Sequence, residues 1–363
     1  MTGAVTKIQL EELGYDKSLD LEWKSLALTN FSIARVIAEH KEAYEVKDPE
    51  GEYLARIRGK QMFGATKRAD YPAVGDWVVI TKLDGEKAVI EKILSRKTTL
   101  QKKYSNKQDA QLIATNIDTV FVVESLDRDY NLNRFERYFV LANEGGVKPV
   151  IVLNKIDLVS KIELNQKIEQ IRNRFKDIDI VSTSTLLERG IEELLDHIKK
   201  GKTYCFLGSS GVGKSSLINK LLKKDALKTK ETSDSTGRGK HTTTKREMYF
   251  LTNGGIVIDN PGTREVGVAD ANVDSGNVFD EITFLAKECK YADCTHIHEP
   301  GCAVQKAVKS KKLDEDKYQN YLRLKKENDY YEMTDFEKRQ KNRKFGQFVK
   351  KTLEELKSID PNF

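Results

Sequence analysis

Eight consecutive residues, Gly208-Ser209-Ser210-Gly211-Val212-Gly213-Lys214-Ser215, have the composition and spacing of a loop that holds phosphate. Glycines let backbone N–H groups converge on an anion, and the helix that follows points its positive end at it. The Lys214 ammonium would reach the β- and γ-phosphates and the Ser215 hydroxyl would ligate Mg2+, with Ser216 beside it among the nucleotide-binding candidates. Asn154-Lys155-Ile156-Asp157 has the chemistry to read a base. An Asp157 carboxylate can accept from guanine's ring N–H and exocyclic amine. Adenine lacks that donor pair, and a polar mismatch of this kind discriminates by ~10⁴ or more. Asn154 would support the major-groove edge of the base, the Lys155 stem would cover its face, and Ser182-Thr183 would offer backbone N–H to the guanine carbonyl. In Asp259-Asn260-Pro261-Gly262, Asp259 would hold Mg2+ through water and the Gly262 N–H would meet the γ-phosphate.

Gly237-Arg238-Gly239-Lys240-His241-Thr242-Thr243-Thr244 lies between the phosphate loop and Asp259. Its glycines make it mobile and its threonines, Thr243 among them, can bind Mg2+ when a γ-phosphate is present, which is an order–disorder switch. Thr263 stands just after Gly262, where many GTPases carry a water-orienting Gln. His241 is therefore the candidate to orient or deprotonate water, against the competing reading of a solvent- or RNA-facing histidine. The base-reading element precedes the phosphate loop, the reverse of the usual order. A circular permutation explains this, and it is cheap when a domain's termini lie close together.

Cys289-x4-Cys294-x-His296-x5-Cys302 supplies three thiolates and one imidazole, the donors of a closed tetrahedral zinc site. Asp293, Pro300 and Gly301 favour the turns needed to wrap a metal, and His298 competes with His296 as the fourth ligand. Four ligands leave no open position, so the expected role is structural. Cys205 reads as a small buried apolar residue.

The elements that position these groups follow from patterning. At 363 residues, 39% apolar and 33% charged, the chain implies two or three soluble domains. Residues 1–28 read as a lead-in. Residues 29–96 hold five short strands with turns at Asp48-Pro49-Glu50-Gly51 and Asp84-Gly85, which implies an oligonucleotide-binding (OB-type) β-barrel. Arg35, Arg56, Arg58, Lys60, Lys67 and Arg68 leave room for a nucleic-acid face there, or for plain solvated strand faces. Residues 97–111 read as a polar, basic linker. Strands and helices alternate over 112–276, as in a mainly parallel sheet covered on both faces. Residues 277–363 read as a charged helical domain around the Cys/His cluster. The net charge of +6 is uneven: Ala303–Phe363 carries 16 Lys and Arg against 11 Asp and Glu, so a basic arm suited to polyanions is expected. No apolar stretch approaches the ~18 residues that span a bilayer, the N-terminus lacks a signal-peptide core, and the clustered thiols fit a reducing cytosol.

Together these residues resemble the circularly permuted, small-ribosomal-subunit-dependent GTPase family RsgA, also called YjeQ. The resemblance runs from Phe31 to Lys351. It includes Val74-Gly75-Asp76-Trp77-Val78, the permuted motifs, Gly-Arg-Gly-Lys-His-Thr-Thr from Gly237, and the zinc segment from Cys289 to Cys302, which favours His296 over His298. It implies a multidomain α/β chain: OB-type barrel, circularly permuted P-loop GTPase domain, and helical zinc-binding domain with a basic arm from Lys338. It also implies a cytoplasmic, monomeric, ribosome-stimulated GTP hydrolase of late subunit maturation. Its partners would be the small subunit, its rRNA, GTP and GDP, with no membrane. Its cofactors would be one structural Zn2+, and Mg2+ with GTP. The family's water-positioning histidine falls on His241. Asn260 replaces the usual Thr, and Thr263 an apolar residue; both imply an altered rate rather than loss of function. A nucleotide-gated RNA-binding module without hydrolysis is the competing expectation.

Overall fold

The computed structural model describes residues 9–41, 43–59, 68–102, 111–127, 130–223, 246–259, 273 and 278–359. Five strands, β1 (Ser32–Glu39), β2 (Tyr44–Lys47), β3 (Glu52–Ile57), β4 (Trp77–Leu83) and β5 (Lys87–Ile93), pair in the order β1-β2-β3-β5-β4 and close through β1–β4. Alternate side chains enclose the barrel core: Ala34 and Val36, Tyr44 and Val46, Val78 and Ile80, Ala88 and Ile90. The β2–β3 turn forms because Asp48 Oδ1 accepts from Glu50 N (2.8 Å) and Gly51 N (3.0 Å).

The lead-in packs onto this barrel. Helix α1 (Lys17–Ser25) is capped by Asp16, and Leu13, Tyr15 and Leu19 cover Trp77 and Leu94 from outside. The Tyr15 and Trp77 rings meet edge-on at 5.2 Å. Arg35 lies under this cover, nearly fully buried, and donates to the carbonyls of Leu13 (2.5 Å), Asn116 (3.1 Å) and Gly75 (3.3 Å). Burial pushes its guanidinium down to about 10. Arg35 therefore does not belong to a nucleic-acid face. Arg56, Arg58 and Arg68 are exposed, Arg58 pairs with Glu91 (2.6 Å), and Lys60 and Lys67 lie outside the described residues.

The stretch read as a linker holds more structure than its composition implies. Its strand β6 (Thr99–Lys102) pairs antiparallel with β7 (Gln111–Thr115), which begins where the stretch ends. Beyond lie β8 (Thr119–Ser125), β9 (Lys148–Asn154), β10 (Ile180–Ser182), β11 (Thr203–Leu207), β12 (Arg246–Phe250) and β13 (Ile256–Asp259). Their order is β10-β9-β8-β11-β13-β12, all parallel except β12. Side chains alternate across this sheet. Val120, Val122, Ile151 and Leu153 face α2 (Leu132–Glu144) and α3 (Lys161–Arg174), and Phe121, Val123, Val150 and Val152 face α4 (Glu188–His197) and α5 (Lys214–Leu222). Strand β12 also pairs with β1, through Ala38–Glu247 and Glu39–Arg246, so barrel and nucleotide domain share one eleven-stranded sheet.

The C-terminal part holds α6 (Asp280–Ala286), α7 (Ala303–Lys309), α8 (Glu315–Glu332) and α9 (Asp335–Ile359). Phe279, Ile282, Val304, Leu313, Tyr321 and Leu324 join the same core as Phe135 and Phe139 of α2. Helix α9 leaves that core; Phe336 and Phe345 are exposed on it among its basic residues. No helix among the described residues is long and apolar enough to cross a membrane.

Candidate functional site

The parallel strands end at one edge, where ligands of open α/β sheets bind. Gly208 follows β11, Asn154 ends β9, Ser182 ends β10 and the buried Asp259 ends β13. Chain order is scrambled relative to an ordinary GTPase, yet these groups share one rim.

The phosphate loop turns through Gly208, Gly211 and Gly213, all at positive φ. At Gly213 a Cβ would also run into the Asn154 side chain. Ser209 and Ser210 are half-buried, Gly211 is exposed and Val212 is buried. Lys214 Nζ donates to the carbonyls of Gly208 and Ser209, both at 2.7 Å, which holds the ammonium within the loop. Ser215 and Ser216 sit half-buried in the first turn of α5. Behind the loop Cys205 is fully buried; burial foremost, then the Asp259 charge, pushes its thiol up to about 12. It is a neutral packing residue, as its apolar neighbours implied.

The base-reading loop is tied to the phosphate loop. Asn154 Nδ2 donates to the Val212 carbonyl at 2.7 Å, and Asn154 Oδ1 accepts from the Thr183 hydroxyl at 3.1 Å. Lys155 adopts a left-handed conformation, and its ammonium pairs with Asp127 at 2.9 Å. Ile156 N donates to the Thr183 carbonyl at 3.2 Å. The Asp157 carboxylate stands exposed at the mouth and accepts a hydrogen bond from the buried Ser184 hydroxyl. One expectation changes. Thr183 N–H donates to the Leu153 carbonyl at 2.7 Å, so sheet pairing uses the donor expected to meet guanine. Thr183 instead orients Asn154, while Ser182 lines the strand end. Ser184 and Asp127 were missed by motif reading; the alternating Ser-Thr-Ser-Thr string from Ser182 is the only sequence hint of Ser184.

His241, Thr243, Asn260, Gly262 and Thr263 lie outside the described residues.

Further along the chain, the ligand atoms of Cys289, Cys294, His296 and Cys302 all lie within 4.8 Å of one another. His296 Nδ1 is 3.6 Å from both Cys289 Sγ and Cys302 Sγ, and those sulfurs are 3.9 Å apart. Tetrahedral zinc, with Zn–S about 2.3 Å and Zn–N about 2.0 Å, needs edges of roughly 3.5–3.8 Å. The donor set therefore fits a metal ion of that size. Tyr318 Oη (2.7 Å) and Gln305 Nε2 (3.0 Å) fix the His296 carbonyl. His298 is exposed and outside the cluster. Glu299 ties the loop by accepting from Thr295 N (2.9 Å), Ile297 N (3.1 Å) and His298 N (3.1 Å). With the Thr295 hydroxyl first among them, these donors hold its carboxyl well below the usual range.

The RsgA GTPase family model matches residues 93–269. A small ribosomal subunit biogenesis GTPase RsgA of Bacteroides thetaiotaomicron is 40% identical over 336 residues, covering 92% of each chain. The chain belongs to the RsgA GTPase family. An RsgA of Leptospira interrogans is 38% identical and covers 95% of this chain and 97% of its own. The crystal structure of YjeQ from Thermotoga maritima superposes with a TM-score of 0.60 at 29% identity, over 83% of this chain and 98% of that one. YloQ, a circularly permuted GTPase, shares the fold at 23% identity and TM-score 0.57. As an RsgA-family member the chain is a GTP hydrolase with a circularly permuted nucleotide domain.

Proposed function

We propose that the chain binds the small ribosomal subunit and hydrolyses GTP on it during late subunit maturation. The Asn154–Val212 hydrogen bond, which ties the base-reading and phosphate loops into one candidate pocket, carries the GTP half of this reading, and the small-ribosomal-subunit relatives support the other half. In that pocket Asp157 and Asn154 take guanine, with Lys155, Ile156, Ser182 and Thr183 as its walls. Residues Gly208 to Ser216 take the phosphates, Lys214 foremost. Ser215 and Asp259, with Thr243, would hold Mg2+, which would supply positive charge against the γ-phosphate. Gly262 meets the γ-phosphate and His241 positions the attacking water.

Zn2+ held by Cys289, Cys294, His296 and Cys302 would supply cross-linking rather than chemistry. The protein acts as a cytoplasmic monomer. The exposed basic helix α9 supports contact with rRNA, and its affinity should fall with rising salt. The domains proposed are the lead-in to residue 28, the barrel to 96, the connection to 111, the nucleotide domain to 276 and the zinc domain beyond.

GTP and ATP turnover, measured with and without purified small subunits at low salt, tests this. Slow turnover of GTP alone, strong acceleration by subunits and no ATP turnover are expected; Lys214→Ala should abolish nucleotide binding. If subunits leave GTP turnover unchanged, ribosome dependence is lost. If GTP gates RNA affinity without ever being cleaved, the chain is an RNA-binding nucleotide sensor instead. His241→Ala retaining full stimulated turnover would remove His241 from the mechanism.

A further inference from the structure

Strands β8 and β9 run parallel, with Glu124 opposite Leu153 and Ser125 opposite Asn154. The pairing continues past the strand ends, because Leu126 N–H donates to the Asn154 carbonyl at 3.1 Å. One residue further on, Asp127 emerges beside Lys155, and one oxygen of its carboxylate meets the Lys155 ammonium at 2.9 Å. The other oxygen accepts from the hydroxyl of the buried Ser125 at 2.9 Å. The anchor is therefore itself fastened to the end of a buried strand.

Lys155 has the less ordinary backbone of the two. At φ 60° and ψ 39° it occupies the left-handed region, which a residue with a Cβ enters only against steric resistance. Its carbonyl accepts from Leu158 N–H at 3.0 Å and closes the short turn Ile156–Leu158, which holds Asp157. Residues in such conformations persist where their surroundings over-determine them, and they cluster at ligand sites. A long stem tethered only at its Cα also samples many rotamers. Fixing the ammonium at the far end turns that stem into a strap. The ion pair itself does little for the fold: its side chains keep 26% and 32% of their exposure, and water screens pairs of this kind.

We propose that Asp127 is a positioning residue for the base: it holds the Lys155 ammonium so that the stem lies flat across the ring, acting through Lys155 rather than on the nucleotide. The two carboxylates of this rim then divide the work. Asp127, steadied by Ser125, fixes what covers the face of the base. Asp157, steadied by Ser184, reads its edge. With its charge met by Asp127, Lys155 offers methylenes to the ring, and methylenes serve any planar purine equally. Asp127 therefore sets affinity and leaves the choice of purine to Asp157.

The proposal rests on the nucleotide-site reading above, and one calorimetric series separates the two. GDP and IDP, which lacks guanine's exocyclic amine, are titrated into the full chain as wild type, Asp127→Asn, Lys155→Met and the double variant. Asp127→Asn is isosteric and Lys155→Met keeps most of the stem, so each chain should fold, with a melting temperature close to the wild type's. Asp127→Asn is expected to weaken GDP and IDP alike, roughly 3- to 10-fold, as loss of one charge-assisted hydrogen bond implies. In the Lys155→Met background the same substitution should change neither affinity, because no ammonium remains to be held. General damage to the pocket would persist in that background. Unchanged GDP affinity in Asp127→Asn, a loss that persists in Lys155→Met, a loss confined to GDP, or a clear fall in melting temperature overturns the proposal and leaves the nucleotide site standing. A wild-type chain that binds no guanine nucleotide overturns both.

Discussion

Asp157 is exposed, so nothing but its partners fixes the direction of its carboxylate, and Ser184 is the partner within reach. Ser184→Ala removes that hydroxyl while leaving the acceptor chemistry intact. GDP affinity should drop about 3- to 10-fold, as one lost hydrogen bond implies, with guanine still preferred over adenine. Asp157→Asn changes the chemistry itself. An amide presents a donor to the exocyclic group of the base, which repels guanine's amine and welcomes the carbonyl of xanthine. Calorimetric titration should show GDP affinity reduced at least ~100-fold and XDP bound more tightly than GDP. Unaltered preference in that variant would remove Asp157 from base recognition. The motif residues were legible because each set is contiguous: the strings from Asn154 and Gly208 carry their chemistry in their own spacing. Ser184 and Asp127 were not, because their partners lie 27 and 28 residues away and meet them only through parallel strand ends. The Thr183 N–H shows the converse. Its chemistry was legible, but the parallel pairing of β10 with β9 had already taken the donor.

Among the elements, the barrel strands were legible from alternation, since one face of each is apolar. What alternation cannot report is cover on the outer face. Arg35 looks like a solvent-facing position of β1, yet the lead-in buries it, and three carbonyls satisfy it. The β6–β7 ribbon escaped for a related reason: its ladder is made by backbone groups, which polar side chains do not forbid. The hub between barrel and ribbon is Asp76. Its fully buried carboxylate takes Arg96 at 2.8 and 2.6 Å, the Ala73 N–H at 2.8 Å and the Thr115 hydroxyl at 2.6 Å. Beside it Gly75 sits at φ 99°, where a Cβ would also collide with the Thr115 carbonyl. Asp76→Ala strands the Arg96 charge and two further donors, so stability should fall by roughly 3–5 kcal/mol. Urea denaturation measures this directly. A loss within experimental scatter would mean that Arg96 finds water in its new state and that the hub is dispensable.

At the scale of the whole molecule, three parts that read as separate domains in sequence are joined by sheet and core. The β1–β12 ladder pairs strands some two hundred residues apart, which no local pattern announces. The Cys/His loop was legible as a ligand set, but not as a support for the nucleotide domain. Cys302 caps α7, whose Val304 and Ala307 sit in the same core as Phe135 and Phe139 of α2. A metal that cross-links this loop therefore stabilises packing beneath the nucleotide pocket. Stripping it with a chelator should lower the melting temperature of the full chain in one shared transition, rather than melt a C-terminal fragment first. GDP at a hundredfold excess over its dissociation constant adds about 2.7 kcal/mol to a competent site. The upward shift that it produces should be smaller in the stripped chain, because looser packing beneath the pocket weakens GDP binding. Calorimetric scans with and without chelator, each with and without GDP, give the four temperatures required. An early separate transition, with the nucleotide-dependent one unmoved, would show that the metal loop and the pocket do not share their stability.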